Sequence, residues 1–314
     1  MRLDLHQHVW TSTLLDALSA RTTFPFVRRS EGITILFCDG EQPYVIDEAA
    51  ESAACRRALL DEDELDGALV ALSSPIGIEG LPRAEATGLI QAHLEGVKEL
   101  GDRFGAWGPL PLDQPQPEDV EALLERGCAG ISIAAGALGD PARLRSLRTT
   151  LGRVAEHGVP LFVHPGPAPA NRVRQPTFNE PLWWQALTDY ISQMQAAWLT
   201  FATHGRRRHP SLQVVFAMLA GGAPLQAERL VSRGGPAVAL EDGLAFYDTS
   251  SYGAQAVELL GRLVGPEQLV YGSDRPVVEP VALAQNAALQ RRAAEIIGDT
   301  GPSQVAAVTA AGAP

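Results

Sequence analysis

The chain has 314 residues, 46% hydrophobic and 20% charged, a balance that supports one large globular core and leaves only the Ala/Gly-rich stretch 301–314 as an expected flexible tail. Its net charge of −12 opposes polyanionic partners, so no nucleic acid is expected, and the dense basic run Arg206-Arg207-Arg208 reads as a solvated helix end. Cys38, Cys55 and Cys128 are scattered and form no CxxC pair, which excludes a disulfide framework, and with no apolar leader or membrane-length apolar run the expectation is a cytoplasmic protein without a membrane partner.

The first strand is predicted at 2–8, ending in His6-Gln7-His8. A long connection, 9–66, follows; within it 26–29 and 34–37 flank Ser30-Glu31-Gly32 and read as a hairpin. A strand at 67–72, a helix at 84–100 and a strand at 104–110 come next. The helix at 117–126 has Pro117 in its first turn and Gly127 past its end, and a strand at 129–134 follows. A helix at 142–157 stops at Gly158-Val159-Pro160 and leads into a strand at 160–164. The Pro-rich connection 165–181 opens onto a helical stretch, 182–208, long enough for two helices. Strands at 213–217, 244–248 and 269–273 alternate with helices at 223–233, 254–264 and 278–297. Strands so rich in Val, Leu and Ile, without polar alternation, suit a parallel sheet buried on both faces. Eight of them, separated by helices, predict an α/β fold: a (β/α)8 TIM-like barrel over 1–300, with 9–66 inserted between its first two strands. A doubly wound sheet would carry a glycine fingerprint after the first strand, and none is present.

A barrel places its site at the C-terminal ends of its strands. Both long connections leave those ends and read as lids. Side chains two apart on a strand share a face, so His6 and His8 reach one point in the mouth. His164 ends the fifth predicted strand, and Asp274 follows the eighth, which neighbours the first in a closed barrel. Three imidazoles and a carboxylate make a nitrogen-rich site for one divalent metal, zinc first and manganese as the alternative. Asp274 is placed both to bind the metal and to accept a proton. Asp248 ends the seventh strand, where it can meet substrate or orient a ligand. Trp10 and Tyr252 are candidate pocket walls. Arg275, beside Asp274, is the first candidate to clamp a substrate carboxylate, ahead of Arg28, Arg29, Arg172 and Arg174 on the long loops.

Asp4-Leu5-His6-Gln7-His8, His164-Pro165-Gly166 and Gly272-Ser273-Asp274-Arg275-Pro276 resemble the amidohydrolase superfamily, in the branch that includes aminocarboxymuconate-semialdehyde decarboxylase. The resemblance implies a mononuclear metal on His6, His8, His164 and Asp274. The segment 130–133 has no Lys or Glu to bridge a second ion. In that branch the sixth strand ends in His-Leu-Gly-Gly, and its His transfers protons. Here the matching residues are Met218-Leu219-Ala220-Gly221-Gly222, and a thioether moves no proton. Spacing from Val214 and Phe216 predicts that Met218 lies on the inward face and walls the substrate pocket.

The leading functional expectation is hydrolysis of a small amide, lactone or ester by metal-activated water. The alternatives are non-oxidative decarboxylation of a small, aromatic carboxylic acid, and a binding protein that kept the barrel and lost turnover. The expected partner is a small-molecule substrate, with a homodimer left open.

Overall fold

The computed structural model describes residues 1–168, 174–177 and 179–298. The predicted tail 301–314 and Arg172 lie outside them. Eleven strands are present among the described residues: β1 (Leu3–Gln7), β2 (Phe26–Ser30), β3 (Ile33–Phe37), β4 (Tyr44–Ile46), β5 (Gly67–Val70), β6 (Phe104–Pro109), β7 (Gly130–Ala134), β8 (Leu161–His164), β9 (Val214–Phe216), β10 (Ala245–Asp248) and β11 (Leu269–Val270). The helices used below are α1 (Ser12–Ser19), α2 (Ala53–Glu62), α3 (Arg83–Glu99), α4 (Pro117–Glu125), α5 (Pro141–Ser146), α6 (Arg148–His157), α7 (Trp184–Leu187), α8 (Asp189–Thr200), α9 (Arg206–Arg208), α10 (Ala227–Ser232), α11 (Ala254–Val264) and α12 (Asn286–Ile297).

Eight strands form one parallel sheet in the order β1-β5-β6-β7-β8-β9-β10-β11. Its two edges meet. Leu5 N–H donates to Tyr271 O at 3.2 Å, Asp274 N–H to His6 O at 2.8 Å and His8 N–H to Arg275 O at 2.7 Å. A curled eight-stranded parallel sheet flanked by helices is consistent with the predicted barrel. β11 is shorter than expected because 271–275 bond to β1 and its neighbours instead of continuing the ladder to β10. Inside the sheet Trp107 stacks on Phe162 at 5.0 Å, both fully buried, and Phe162 meets the edge of the His6 ring at 5.0 Å. This aromatic layer closes the core beneath the histidines. The Trp107 indole N–H remains satisfied by donating to Leu5 O.

The hairpin β2–β3 forms in the predicted place, but β4 extends it to a three-stranded antiparallel sheet. The same connection also holds α1 and α2. Thr11 accepts the Leu14 N–H as N-cap of α1, and Ser52 accepts that of Cys55 at α2. Three predicted helices are trimmed or interrupted. The 142–157 stretch divides into α5 and α6 at Leu147, and α12 starts only at Asn286. Pro280 lacks an N–H and disfavours helix in the residue before it. The stretch 223–233 becomes α-helical only at Ala227, after a 3-10 segment and a run of five residues, 218–222, with φ between 44° and 72°. No helix among the described residues is long and apolar enough to cross a membrane.

Candidate metal centre

Strand alternation turns His6 and His8 the same way, and both are buried at 1% exposure. His164 is the last residue of β8. Asp274 sits in left-handed backbone, φ 62°, held by its N–H bond to His6 O. The three imidazoles stand mutually edge-on, with centroids 4.9–5.0 Å apart. His6 Nε2 lies 3.2 Å from His8 Nε2, and Asp274 Oδ1 lies 3.5 Å and 3.1 Å from those nitrogens. One donor atom from each of His6, His8, His164 and Asp274 falls within 4.8 Å of all the others. Donors at the corners of a tetrahedron with arms of ~2.1 Å stand about 3.4 Å apart, so the set fits a metal ion.

The outer ring nitrogens support the same fit. His6 Nδ1 is 2.8 Å from Asp248 Oδ2, His8 Nδ1 is 2.8 Å from Ala71 O, and His164 Nδ1 is 2.8 Å from Pro165 O. Each acceptor fixes Nδ1 as the protonated nitrogen and leaves the Nε2 lone pair facing inward, the arrangement expected of metal-ligating histidines.

Burial disfavours charge on His6, but Asp248, Asp274 and Asp4 outweigh it and push its pKa up to about 9. Burial would raise Asp274; the neighbouring His6, His8 and His164 instead hold it at about 2. His164 is pushed well below the ordinary histidine value by burial, then by His8 and His6. A buried anion beside a histidine that readily takes positive charge is an electrostatic environment built for a cation.

Asp248, fully buried, orients His6 rather than opening to solvent. Its Oδ1 accepts from Ser250 N at 3.0 Å, Ser250 Oγ at 2.5 Å and Met218 N at 2.8 Å. Met218 does not continue a strand face, because β9 ends at Phe216 and Met218 already has φ 44°. The spacing argument for its side chain fails there, while its backbone N–H remains one carboxylate away from His6. Left-handed backbone at Met218, Leu219 and Ala220 costs roughly 1–2 kcal/mol per residue. The bonds to Asp248 and Ser250, and that of Gln195 Nε2 to Gly221 O at 2.9 Å, hold the turn in place.

Arg275 is not a free clamp. Its guanidinium pairs with Asp63 at 3.2 Å and Glu279 at 2.7 Å, and those two carboxylates neutralise it. Arg29 pairs with Asp16 and Glu48, Arg174 with Glu180 and Asp189, and Arg28 lies over the Phe26 ring. Trp10 is buried, its backbone N–H donating to Glu51 Oε2 at 3.0 Å and its ring 5.9 Å from Tyr44. Tyr252 is half-buried after β10, and the adjacent Ser251 hydroxyl is 3.4 Å from Asp274 Oδ2. On β7 the residue in register with His164 is Ala134, which offers no ligand for a second ion.

Sequence reasoning missed several residues. Asp4 accepts from His6 N and Ser273 N, both at 3.0 Å, and from Gln7 Nε2 at 2.8 Å, joining β1 to the loop that carries Asp274. Gly272 leaves no room for a side chain, since a Cβ there would lie 2.8 Å from His6 Cβ and 2.9 Å from Asp248 Cγ. Its place in Gly272-Ser273-Asp274 was the available signal. Tyr44 and Tyr190 also lie within electrostatic reach of Asp274; no local motif marks them.

A family model described as amidohydrolase matches residues 3–308. No curated protein matches the sequence. Among solved structures, the chain resembles apo IDCase of Metarhizium anisopliae at 18% identity, covering 99% of this chain and 96% of that one, with a TM-score of 0.72. A 5-carboxyvanillate decarboxylase of Novosphingobium aromaticivorans, complexed with manganese and 4-hydroxy-3-methoxy-5-nitrobenzoic acid, is 17% identical over 95% of this chain and 96% of that one, TM-score 0.66. A 2,6-dihydroxybenzoate decarboxylase of Rhizobium is 15% identical over 94% and 98%, TM-score 0.62.

Proposed function

We propose, from the premise that the chain belongs to the amidohydrolase family, that it is a mononuclear metal-dependent decarboxylase of a small aromatic carboxylic acid. The observation that carries the reading is the one such cluster among the described residues, buried His6, His8 and His164 with Asp274, and Ala134 beside His164 on β7 offers no ligand to bridge a second ion. Residues 1–300 then act as one barrel domain, with 9–66 as its cover. Hydrolysis, the reaction first expected from the sequence, has the family alone behind it. Decarboxylation has the family and solved structures that match the chain over 94% or more of its length. It therefore takes the leading place.

Three nitrogen donors and one oxygen favour zinc; the carboxyvanillate decarboxylase holds manganese. A divalent ion here would supply positive charge that positions the substrate's carboxylate and neighbouring oxygen and stabilises charge developing on them. The protein does the rest. Asp248 fixes the His6 tautomer, and Ala71 O and Pro165 O fix those of His8 and His164. A proton must replace the departing carboxyl group, and Met218 cannot give one.

The test is carbon dioxide release by metal-loaded protein from 2,6-dihydroxybenzoate, 5-carboxyvanillate and related hydroxybenzoates. Stoichiometric release from at least one, abolished by chelation, is the expected result. Turnover confined to esters, lactones or amides would restore hydrolysis. One bound ion with neither activity would make the chain a binding protein.

A further inference from the structure

Resting on the metal centre of the reading above, and not on the reaction assigned to it, the inference concerns the turn 249–252 that follows β10. The turn is fixed at both ends. Thr249 N–H donates to Val270 O at 3.1 Å, and Tyr252 N–H donates to Thr249 O at 3.3 Å. Between those bonds lie two adjacent serines, and the second, Ser251, has φ 66°. Glycine would occupy that left-handed backbone without strain, whereas a residue with a Cβ is disfavoured there. A strained serine at the edge of a buried cluster calls for a role for its hydroxyl.

The two serines reach different carboxylates. Ser250 is buried, and its Oγ donates to Asp248 Oδ1 at 2.5 Å. The other Asp248 oxygen stands 2.8 Å from His6 Nδ1, so Ser250 acts on a histidine of the centre through that carboxylate. Ser251 is exposed, and its Oγ donates to Asp274 Oδ2 at 3.4 Å. The oxygens of Asp274 are thereby divided. Oδ1 faces the imidazoles, 3.1 Å from His8 Nε2 and 3.5 Å from His6 Nε2, while Oδ2 turns to Ser251. The main chain of Asp274 is tied on both sides: its N–H donates to His6 O at 2.8 Å, and its carbonyl accepts from Val277 N at 2.9 Å and Val278 N at 3.2 Å. What remains is rotation of the carboxylate about its own side-chain bonds, and the Ser251 hydroxyl selects one setting of it.

We propose that Ser251 is a positioning residue of the metal centre, whose hydroxyl holds Asp274 Oδ2 so that Oδ1 alone is presented to the ion. One turn then sets two carboxylates: Ser250 holds the one that orients His6, and Ser251 holds the one that binds.

The chemistry of a carboxylate ligand gives this contact its weight. A carboxylate can offer an ion one oxygen or both. A hydroxyl that donates to one oxygen draws on its lone pairs and favours ligation through the other. A centre that acts on a substrate must keep a place for it beside the protein's own ligands. A second Asp274 oxygen, once released by Ser251, would compete for that place. Ser251 touches the ligand and not the ion, so its effect is on affinity and on the ligand set.

Cobalt(II) added to metal-stripped protein is the probe. Competition with a chelator gives its affinity, its visible absorption bands report the ligand set, and chemical denaturation of the metal-free protein gives stability. Ser251→Ala is expected to weaken cobalt binding by about tenfold or more, the usual effect of losing a partner behind a ligand, and to shift the bands. Ser251→Gly should weaken binding by the same factor yet leave the metal-free protein at least as stable as wild type, because glycine accepts φ 66°. A merely structural serine would lower affinity and stability together. Ser251→Asn tolerates left-handed backbone and restores a donor, so it should return affinity to within about threefold of wild type. Ala and Gly variants that bind cobalt within about threefold of wild type, with unmoved bands, overturn the proposal and leave the metal centre intact. A wild type that binds no cobalt overturns both. Should Ser251→Ala not fold, Ser251→Gly decides.

Discussion

Asp248 Oδ2 stands 2.8 Å from His6 Nδ1, so the end of β10 dictates which nitrogen of a β1 histidine faces the centre. Asp248→Asn keeps the size and removes the charge that holds the His6 N–H. Divalent metal affinity is expected to fall by about 10–100-fold, the usual effect of losing such a partner, with the fold retained. Competition against a chelator measures it; an affinity within about threefold of wild type would show that Asp248 only supports the Met218 turn.

Gly272 makes that contact possible. A methyl group there would meet His6 Cβ at 2.8 Å and Asp248 Cγ at 2.9 Å. Neither neighbour is the free end of a flexible chain, so β1 and β10 must move apart. Gly272→Ala is expected to cost ~1–3 kcal/mol in chemical denaturation and to lower metal occupancy together with stability. Loss of stability at full occupancy would place the strain elsewhere.

His93 on α3 is fully buried, and neither ring nitrogen has a hydrogen-bond partner among the described residues. Burial, and then the nearby His8, push its pKa down to about 3 from an ordinary 6.5. The sign follows from linkage: stability owed to the neutral ring is whole above the unfolded value and is lost as pH falls from 6.5 toward 3. The slope is at most about 1.4 kcal/mol per pH unit. His93→Leu should remove this acid sensitivity and, by deleting an unsatisfied polar group, raise stability at neutral pH by up to ~2 kcal/mol. Buried carboxyls such as Asp4 and Glu79, raised by burial, titrate in the opposite sense. The wild-type minus variant difference across pH therefore isolates His93.

The barrel strands and the four ligand candidates were legible because both obey local rules. Apolar runs without alternation mark buried parallel strands, and His6-Gln7-His8 shows its common face by period alone. The pairing of Arg275 was not legible because adjacency to Asp274 says nothing about Asp63, 212 residues earlier in the chain, which binds its guanidinium. The spacing argument for Met218 does not hold because it extends strand period past Phe216 into a turn that non-glycine residues rarely adopt. The ties between the insertion and the segment before α8 were invisible for a related reason. Gln42 reaches Glu180 O and Gln185 reaches Gly40 O across 138 and 145 positions of chain, and no periodicity encodes that.

Met218→His gives the strictest check on how the centre obtains its proton. The Met218 N–H is held by Asp248 at 2.8 Å and by Ser250 Oγ at 3.3 Å, bonds that do not depend on the side chain. Histidine is also among the residues that tolerate positive φ, so the turn should survive, at a cost of ~1–3 kcal/mol if the ring stays unpaired. If the centre has no proton donor at this position, Met218→His should raise kcat by about tenfold or more, since it adds a general acid. The added activity should decline as pH rises through the ordinary histidine range. Steady-state pH profiles of wild type and variant measure this. A variant no faster than wild type would mean that a side chain at 218 does not reach the reacting carbon, and that the turn serves His6 only through Asp248.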